Sequence, residues 1–213
     1  MFKRKDYVTE FSGWTDRISI DPLAIPLTEI LAKTPVTPNQ ITILSFFVSL
    51  GSAYLFLMGG RINLIWGAII WHIVTVLDGV DGMLARKTGQ CSEFGAKLDT
   101  RLDKIRKAIN IFALIYSFRN SEHVIPIVVL VIIHYLIHYL LRVKSNSKIQ
   151  EFLRAKGLKA LFDPLDEQWF ILFLGPVTGK FYLVLILTVM LQIMDKIINF
   201  LFNVFKFGKN CKD

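Results

Sequence analysis

Residues 78–103 read D-G-V-D-G-M-L-A-R-K-T-G-Q-C-S-E-F-G-A-K-L-D-T-R-L-D, which sets four carboxylates, Asp78, Asp81, Asp99 and Asp103, between apolar runs that read as membrane. An ionisable side chain in such a run must be paired, hydrated or bound to a metal, because hydrocarbon does not solvate it. Asp78 and Asp81 are three residues apart and Asp99 and Asp103 four apart, so helical flanks would put each pair on one face. Apolar character lapses at Gly89-Gln90-Cys91-Ser92, which predicts a turn there. The midpoints of 78 with 103 and of 81 with 99 fall at 90.5 and 90, so an antiparallel hairpin brings the two pairs to matching depth. Asp81 and Asp99 would each lie roughly 13 Å from the turn at ~1.5 Å per helical residue. All four carboxylates are expected to converge just inside one membrane boundary.

Outward from this hairpin, the 213 residues are 53% hydrophobic with a formal net charge of +8. The apolar residues come in long runs, so an all-α integral membrane protein is expected, organised as one domain over 1–213. Residues 1–36 interleave Trp14, Ile18, Ile20, Leu23, Ile25, Leu27, Ile30 and Leu31 with charges, and Pro22 and Pro26 are expected to break the run, which suits an amphipathic segment lying in the headgroup layer. Met1–Glu10 lacks the short apolar core of a secretory leader. A six-helix bundle over 39–206 follows. Its spans are expected at 39–58, from Ile62 past Trp71 into Asp78, at 94–118, at 124–141, around 169–175 as the shortest, and at 181–205. Of the 25 lysines and arginines, 22 fall on the side of the termini and of the second and fourth connections, leaving Arg61, Arg119 and Lys180 opposite. The positive-inside rule then makes both termini and the carboxylate end cytoplasmic. The basic charge is accounted for by headgroups and topology, and no basic soluble module remains to hold nucleic acid. Cys91 and Cys211 imply no disulfide framework.

Four adjacent carboxylates would repel unless a cation joined them, and an oxygen-only donor set suits Mg²⁺, Mn²⁺ or Ca²⁺ and disfavours Zn²⁺. Gly82 and Gly95 leave space beside them, and Arg86 stands one turn beyond Asp81, placed to grip a phosphate. Two metals and an arginine beside a lipid-accessible groove suit phosphoryl transfer.

The pattern D-x-x-D-G-x-x-A-R-x8-G-x3-D-x3-D, met by Asp78, Asp81, Gly82, Ala85, Arg86, Gly95, Asp99 and Asp103, resembles the signature of the CDP-alcohol phosphotransferase family. The resemblance implies a six-helix membrane enzyme, commonly a homodimer, that transfers the phosphoryl-alcohol part of a CDP-linked alcohol to a hydroxyl and releases CMP, with Mg²⁺ or Mn²⁺, two ions in all, as cofactor. It implies Asp78, Asp81, Asp99 and Asp103 as metal ligands, Asp103 also as the base, and Gly82 and Arg86 at the nucleotide diphosphate. Thr37, Asn39, Gln40 and Ser92 would join the nucleotide site, and Arg142, Lys144 and Arg154 the acceptor. The segment Ile105-Arg106-Lys107 departs from the continuation of several subfamilies, so no acceptor is singled out.

Plainer readings stand beside these. Thr37-Pro38-Asn39 is also a helix cap, Ser92 can cap the third span, and the cations after Asp99 can serve topology alone, Arg86 excepted. His134 and His138, one turn apart, are read as helix-packing residues. A CDP-linked lipid donor with a small polar acceptor is the leading expectation. A soluble CDP-headgroup with a lipid acceptor reverses the polarity, and a carboxylate-lined cation transporter is the alternative of another class.

Overall fold

A computed structural model of the chain describes residues 14–140 and 164–207. A π-helical turn, Asp16–Ile20, leads into α1 (Asp21–Leu31); α2 (Pro38–Met58), α3 (Arg61–Thr88), α4 (Glu93–Ser117) and α5 (Val124–Leu140) follow. Beyond the undescribed 141–163 come α6 (Pro164–Trp169), a π-helical stretch Phe170–Leu174, α7 (Gly175–Thr178) and α8 (Phe181–Phe207). No strand occurs among the described residues.

Among the described residues, three helical stretches are long and apolar enough to cross a membrane: α2, α3 and Phe181–Ile198 of α8. The apolar stretch of α5 is shorter. The 25-residue α4 is not in that set, because its cytoplasm-directed half in the sequence reading carries Lys97, Arg101, Lys104, Arg106 and Lys107.

Local chemistry accounts for the boundaries. Thr37 and Gln40 form a reciprocal capping box that starts α2, with Pro38 in the first turn. Gly89 adopts φ +68° after Thr88 and ends α3, a backbone state costly for a residue with a Cβ. The expected break at the prolines is corrected: α1 runs through both. Pro22 occupies the first turn, where an amide would be unpaired anyway, and Pro26 lies on the exposed face. On the other face of α1, Ala24, Ile25 and Thr28 are buried with Ile20 against Ile41, Val80 and Leu84. Ile18, Leu23 and Ile30 point outward, and Glu29 pairs with Lys87 at the end of α3.

In lipid, helix association depends on close packing because lipid tails are as apolar as leucine. The small buried residues Ser45, Ser49, Ser52 and Ala53 line the contact face of α2, and Ser52 Oγ donates to Gly67 O of α3 at 2.8 Å. A Cβ on Gly67 would stand 2.8 Å from the Phe56 ring, so the approach of α2 to α3 requires glycine there. Phe56, Trp71, Leu114, Ile127, Leu172 and Leu185 fill the rest of the main core. At the end away from the carboxylates, Arg61 donates to Pro176 O at 2.6 Å and Val177 O at 2.5 Å, tying α3 to α7. His134 is buried, with Nε2 3.8 Å from Glu167 Oε2, and its carbonyl accepts from Gln192 Nε2 at 3.3 Å, so it joins α5, α6 and α8. Asp166 and Glu167, read from the sequence as preceding a span, are buried, and Asp166 Oδ1 accepts from the Thr15 amide at 2.8 Å.

Candidate active site

The last three turns of α3 present Asp78, Asp81, Gly82, Ala85 and Arg86 at spacings of three and four residues, one face of a helix. After the Gly89 reversal, Ser92 Oγ accepts from the Gly95 amide at 3.0 Å and starts α4, which returns Asp99 and Asp103 toward that face. The start of α2 closes the third side. Thr42 Oγ1 donates to Asp81 Oδ2 at 2.6 Å and so orients a carboxylate that is itself buried.

Carboxylate oxygens of Asp78, Asp81 and Asp99 lie within 4.8 Å of one another. Asp103 adjoins this group, its Oδ1 and Asp78 Oδ1 facing the same nitrogen of Arg106. Both of its oxygens are engaged by cations. Arg106 donates to Asp103 Oδ1 from Nε at 3.2 Å and Nη2 at 2.8 Å, while Lys107 Nζ lies 2.5 Å from Asp103 Oδ2. The same guanidinium pairs with Asp78 and donates from Nη1 to Ser45 Oγ at 3.1 Å. Asn110, one turn further, donates to Arg106 O at 2.9 Å and to Ser49 O at 3.2 Å.

Two cavities, each of about 200 Å³, meet at the carboxylates and share Asp81, Gly82, Arg86 and Asp99. One opens toward Asn39, Gln90 and Ser92. The other opens toward Asp16 and Asp21 at the start of the N-terminal helix, beside Asp78. Gly95 permits the first: a Cβ there would meet Asn39 Oδ1 at 2.8 Å and Ser92 Oγ at 3.0 Å.

Among residues singled out in the sequence, Asn39, Gly82, Arg86 and Ser92 surround the first cavity with Asp81 and Asp99. Thr37 and Gln40 do not line it; their side chains are engaged in the cap, Thr37 N to Gln40 Oε1 at 2.9 Å and Gln40 N to Thr37 Oγ1 at 3.4 Å. Arg142, Lys144 and Arg154 lie outside the described residues. Sequence reasoning missed Thr42, Ser45, Arg106 and Asn110. The available signal was periodic: Asp99, Asp103, Arg106 and Asn110 form one polar stripe on α4, and Thr42, Ser45, Ser49 and Ser52 form its counterpart on α2.

The sequence model of the CDP-alcohol phosphatidyltransferase family matches residues 35–204. The chain belongs to that family. An archaetidylinositol phosphate synthase of Pyrococcus horikoshii is 39% identical over 84 residues, covering 39% of this chain and 43% of that protein. A phosphatidylinositol phosphate synthase of Corynebacterium glutamicum is 38% identical over 80 residues, 38% of this chain and 36% of that protein. The chain thus aligns with less than half the length of these curated relatives. In fold, this CDP-alcohol phosphatidyltransferase family member is similar to the phosphatidylinositol phosphate synthase PgsA1 of Mycobacterium tuberculosis with CDP-DAG bound, with a TM-score of 0.58 at 22% identity over 86% of this chain and 92% of the other. The same enzyme in complex with manganese and citrate also superposes at 0.58, with 22% identity over 82% of this chain and 86% of that one.

Proposed function

We propose that this chain is a metal-dependent transferase that moves the phosphoryl-alcohol part of a CDP-linked lipid to the hydroxyl of a small polar alcohol and releases CMP. The observation that carries the proposal is the group Asp78, Asp81 and Asp99, with oxygens within 4.8 Å, at the junction of two cavities that share Arg86. An oxygen-only set at this separation fits a hard divalent cation, Mg²⁺ or Mn²⁺. When bound, such ions neutralise charge on the diphosphate and on the departing CMP.

Each residue then has a stated task. Asp78, Asp81 and Asp99 hold metal, with Thr42 orienting Asp81. Arg86 faces the diphosphate from the wall common to both cavities, and Gly82 leaves it room, since a Cβ there would lie 3.4 Å from Arg86 Nη1. Asn39 and Ser92 border the cavity assigned to the nucleotide; the cavity beside Asp16 and Asp21 is assigned to the acceptor. The acceptor oxygen bonds to the phosphorus bearing the lipid alcohol, the P–O–P bridge breaks, and its electron pair leaves with CMP. The acceptor proton goes to Asp103 Oδ2, which Lys107 uncovers by swinging away; that lysine side chain is 25% exposed, unlike buried Arg106.

The names of the relatives and the CDP-DAG in the M. tuberculosis structure support a lipid donor and make an inositol phosphate the first acceptor to test. A six-span bundle with an interfacial N-terminal segment, cytoplasmic termini and pairing of two chains complete the proposal. Purified protein with Mn²⁺ or Mg²⁺ is to be given CDP-diacylglycerol with inositol phosphate, glycerol phosphate or serine, and separately CDP-choline with diacylglycerol. CMP release from the first donor, lost in Asp81→Asn, is the expected result. Release only from CDP-choline reverses the polarity, and metal flux through proteoliposomes without CMP from either donor would replace the transferase reading with transport.

A further inference from the structure

We propose that Arg106 is the resident counter-cation of this site and sets the order of metal loading: one divalent ion binds the protein alone, and the second binds only with the donor's diphosphate. The inference rests on the transferase reading and extends it. Arg106 is 2% exposed, and its charge is permanent because a guanidinium does not deprotonate in a protein. Its fork is fixed from two helices. Nη2 faces Oδ1 of both Asp78 and Asp103, and Nη1 is anchored 3.1 Å from Ser45 Oγ on α2, a serine that is itself fully buried.

Both oxygens of Asp103 are engaged by cations of its own helix, Oδ1 by Arg106 and Oδ2 by Lys107 at 2.5 Å. The six carboxylates at the two cavities, with Asp16 and Asp21 included, and the cations Arg86, Arg106 and Lys107 leave a triple negative charge, which one divalent ion in the Asp78, Asp81 and Asp99 group reduces to a single one. A second divalent ion would then enter beside a guanidinium with a single anionic charge left to offset its two, and in a poorly solvated pocket the excess positive charge is costly. A diphosphate restores negative charge and brings oxygen donors of its own, which is how a small hard cation is commonly held with few protein ligands. Arg106 acts through the carboxylates and is a positioning residue.

Mn²⁺ bound per chain can be counted by electron paramagnetic resonance on purified protein in detergent, with and without CDP. Wild-type protein should hold about one tight ion alone and about two with CDP present. Arg106→Gln should take up the second ion without CDP, at least about tenfold more tightly than wild type, and Arg106→Lys, which keeps the charge, should retain the dependence on CDP. Should Arg106→Gln fail to fold, the wild-type pair of titrations decides alone. Two ions on the wild type without CDP, or the same count in both conditions, overturns the loading order while leaving the metal site standing. No bound Mn²⁺ that is lost in Asp81→Asn overturns the metal-dependent reading itself.

Discussion

Thr42 touches no substrate in the proposed mechanism, yet its 2.6 Å hydrogen bond fixes one oxygen of Asp81, a carboxylate that meets Asp78 and Asp99 within 4.8 Å. Partners of metal ligands commonly contribute 10- to 100-fold to affinity, so Thr42→Val should weaken Mn²⁺ binding by about that range while Thr42→Ser retains it, measured by titration on samples of unchanged melting temperature. Equal affinity in Thr42→Val would remove the hydrogen bond from the account. Gly95 acts through the absence of a side chain. Gly95→Ala places a methyl 2.8 Å from Asn39 Oδ1 and 3.0 Å from Ser92 Oγ, so the wall of the cavity proposed for the nucleotide must move. Donor KM should rise about tenfold or more, equivalent to about 1.4 kcal/mol of binding, with the acceptor KM nearly unchanged. Neither residue's role follows from its own identity, since a threonine and a glycine are ordinary in helices; both depend on which neighbour stands across the gap.

The start of α2 separates a structural from a substrate role. Thr37 and Gln40 cap one another, and removing an N-cap side chain costs about 1 kcal/mol. Thr37→Ala should therefore lower the unfolding free energy by about that amount and leave donor KM within about twofold, read by denaturation and steady-state kinetics; a large KM effect at unchanged stability would return Thr37 to the nucleotide site. Further along α2, Ser52 and the Phe56 ring meet Gly67 of α3 at close range. Gly67→Ala should destabilise the protein by about 1–3 kcal/mol through overpacking, and Phe56→Leu in that background should recover part of the loss. Helix limits were largely legible because caps, glycines and apolar length act locally. The expected breaks at Pro22 and Pro26 were not realised, because one proline falls in the first turn and the other on a face that needs no packing contact.

Across the whole molecule, the site forms where one end of α2, α3 and α4 meets the N-terminal helix, and the family match over residues 35–204 spans α2, α3 and α4 but not that helix. We propose from the charge asymmetry that this end faces the cytoplasm. Cys91 is exposed beside the turn and offers a direct reading. In a Cys211→Ser background, a membrane-impermeant maleimide should label Cys91 in inside-out vesicles and leave it unlabelled in right-side-out ones; the opposite pattern would invert the topology. Chelation with EDTA should abolish CMP release, and Mn²⁺ or Mg²⁺ should restore it.

The spacing of Asp78, Asp81, Asp99 and Asp103 determined by itself that the chain carries an acidic helical hairpin, because helix periodicity and the Gly89 turn are local properties read along one strand of chain. The same holds for the membrane class, which follows from apolar length. Only the tertiary structure decided that Asp78, Asp81 and Asp99 come together while Arg106 joins Asp103 to Asp78, and that Arg106 belongs to the site and not to the charge pattern at the membrane surface. That outcome depends on Ser45, sixty-one positions away, receiving the guanidinium across the interface of α2 and α4. A buried charge goes where another helix offers it a partner, and spacing along its own helix does not encode that offer.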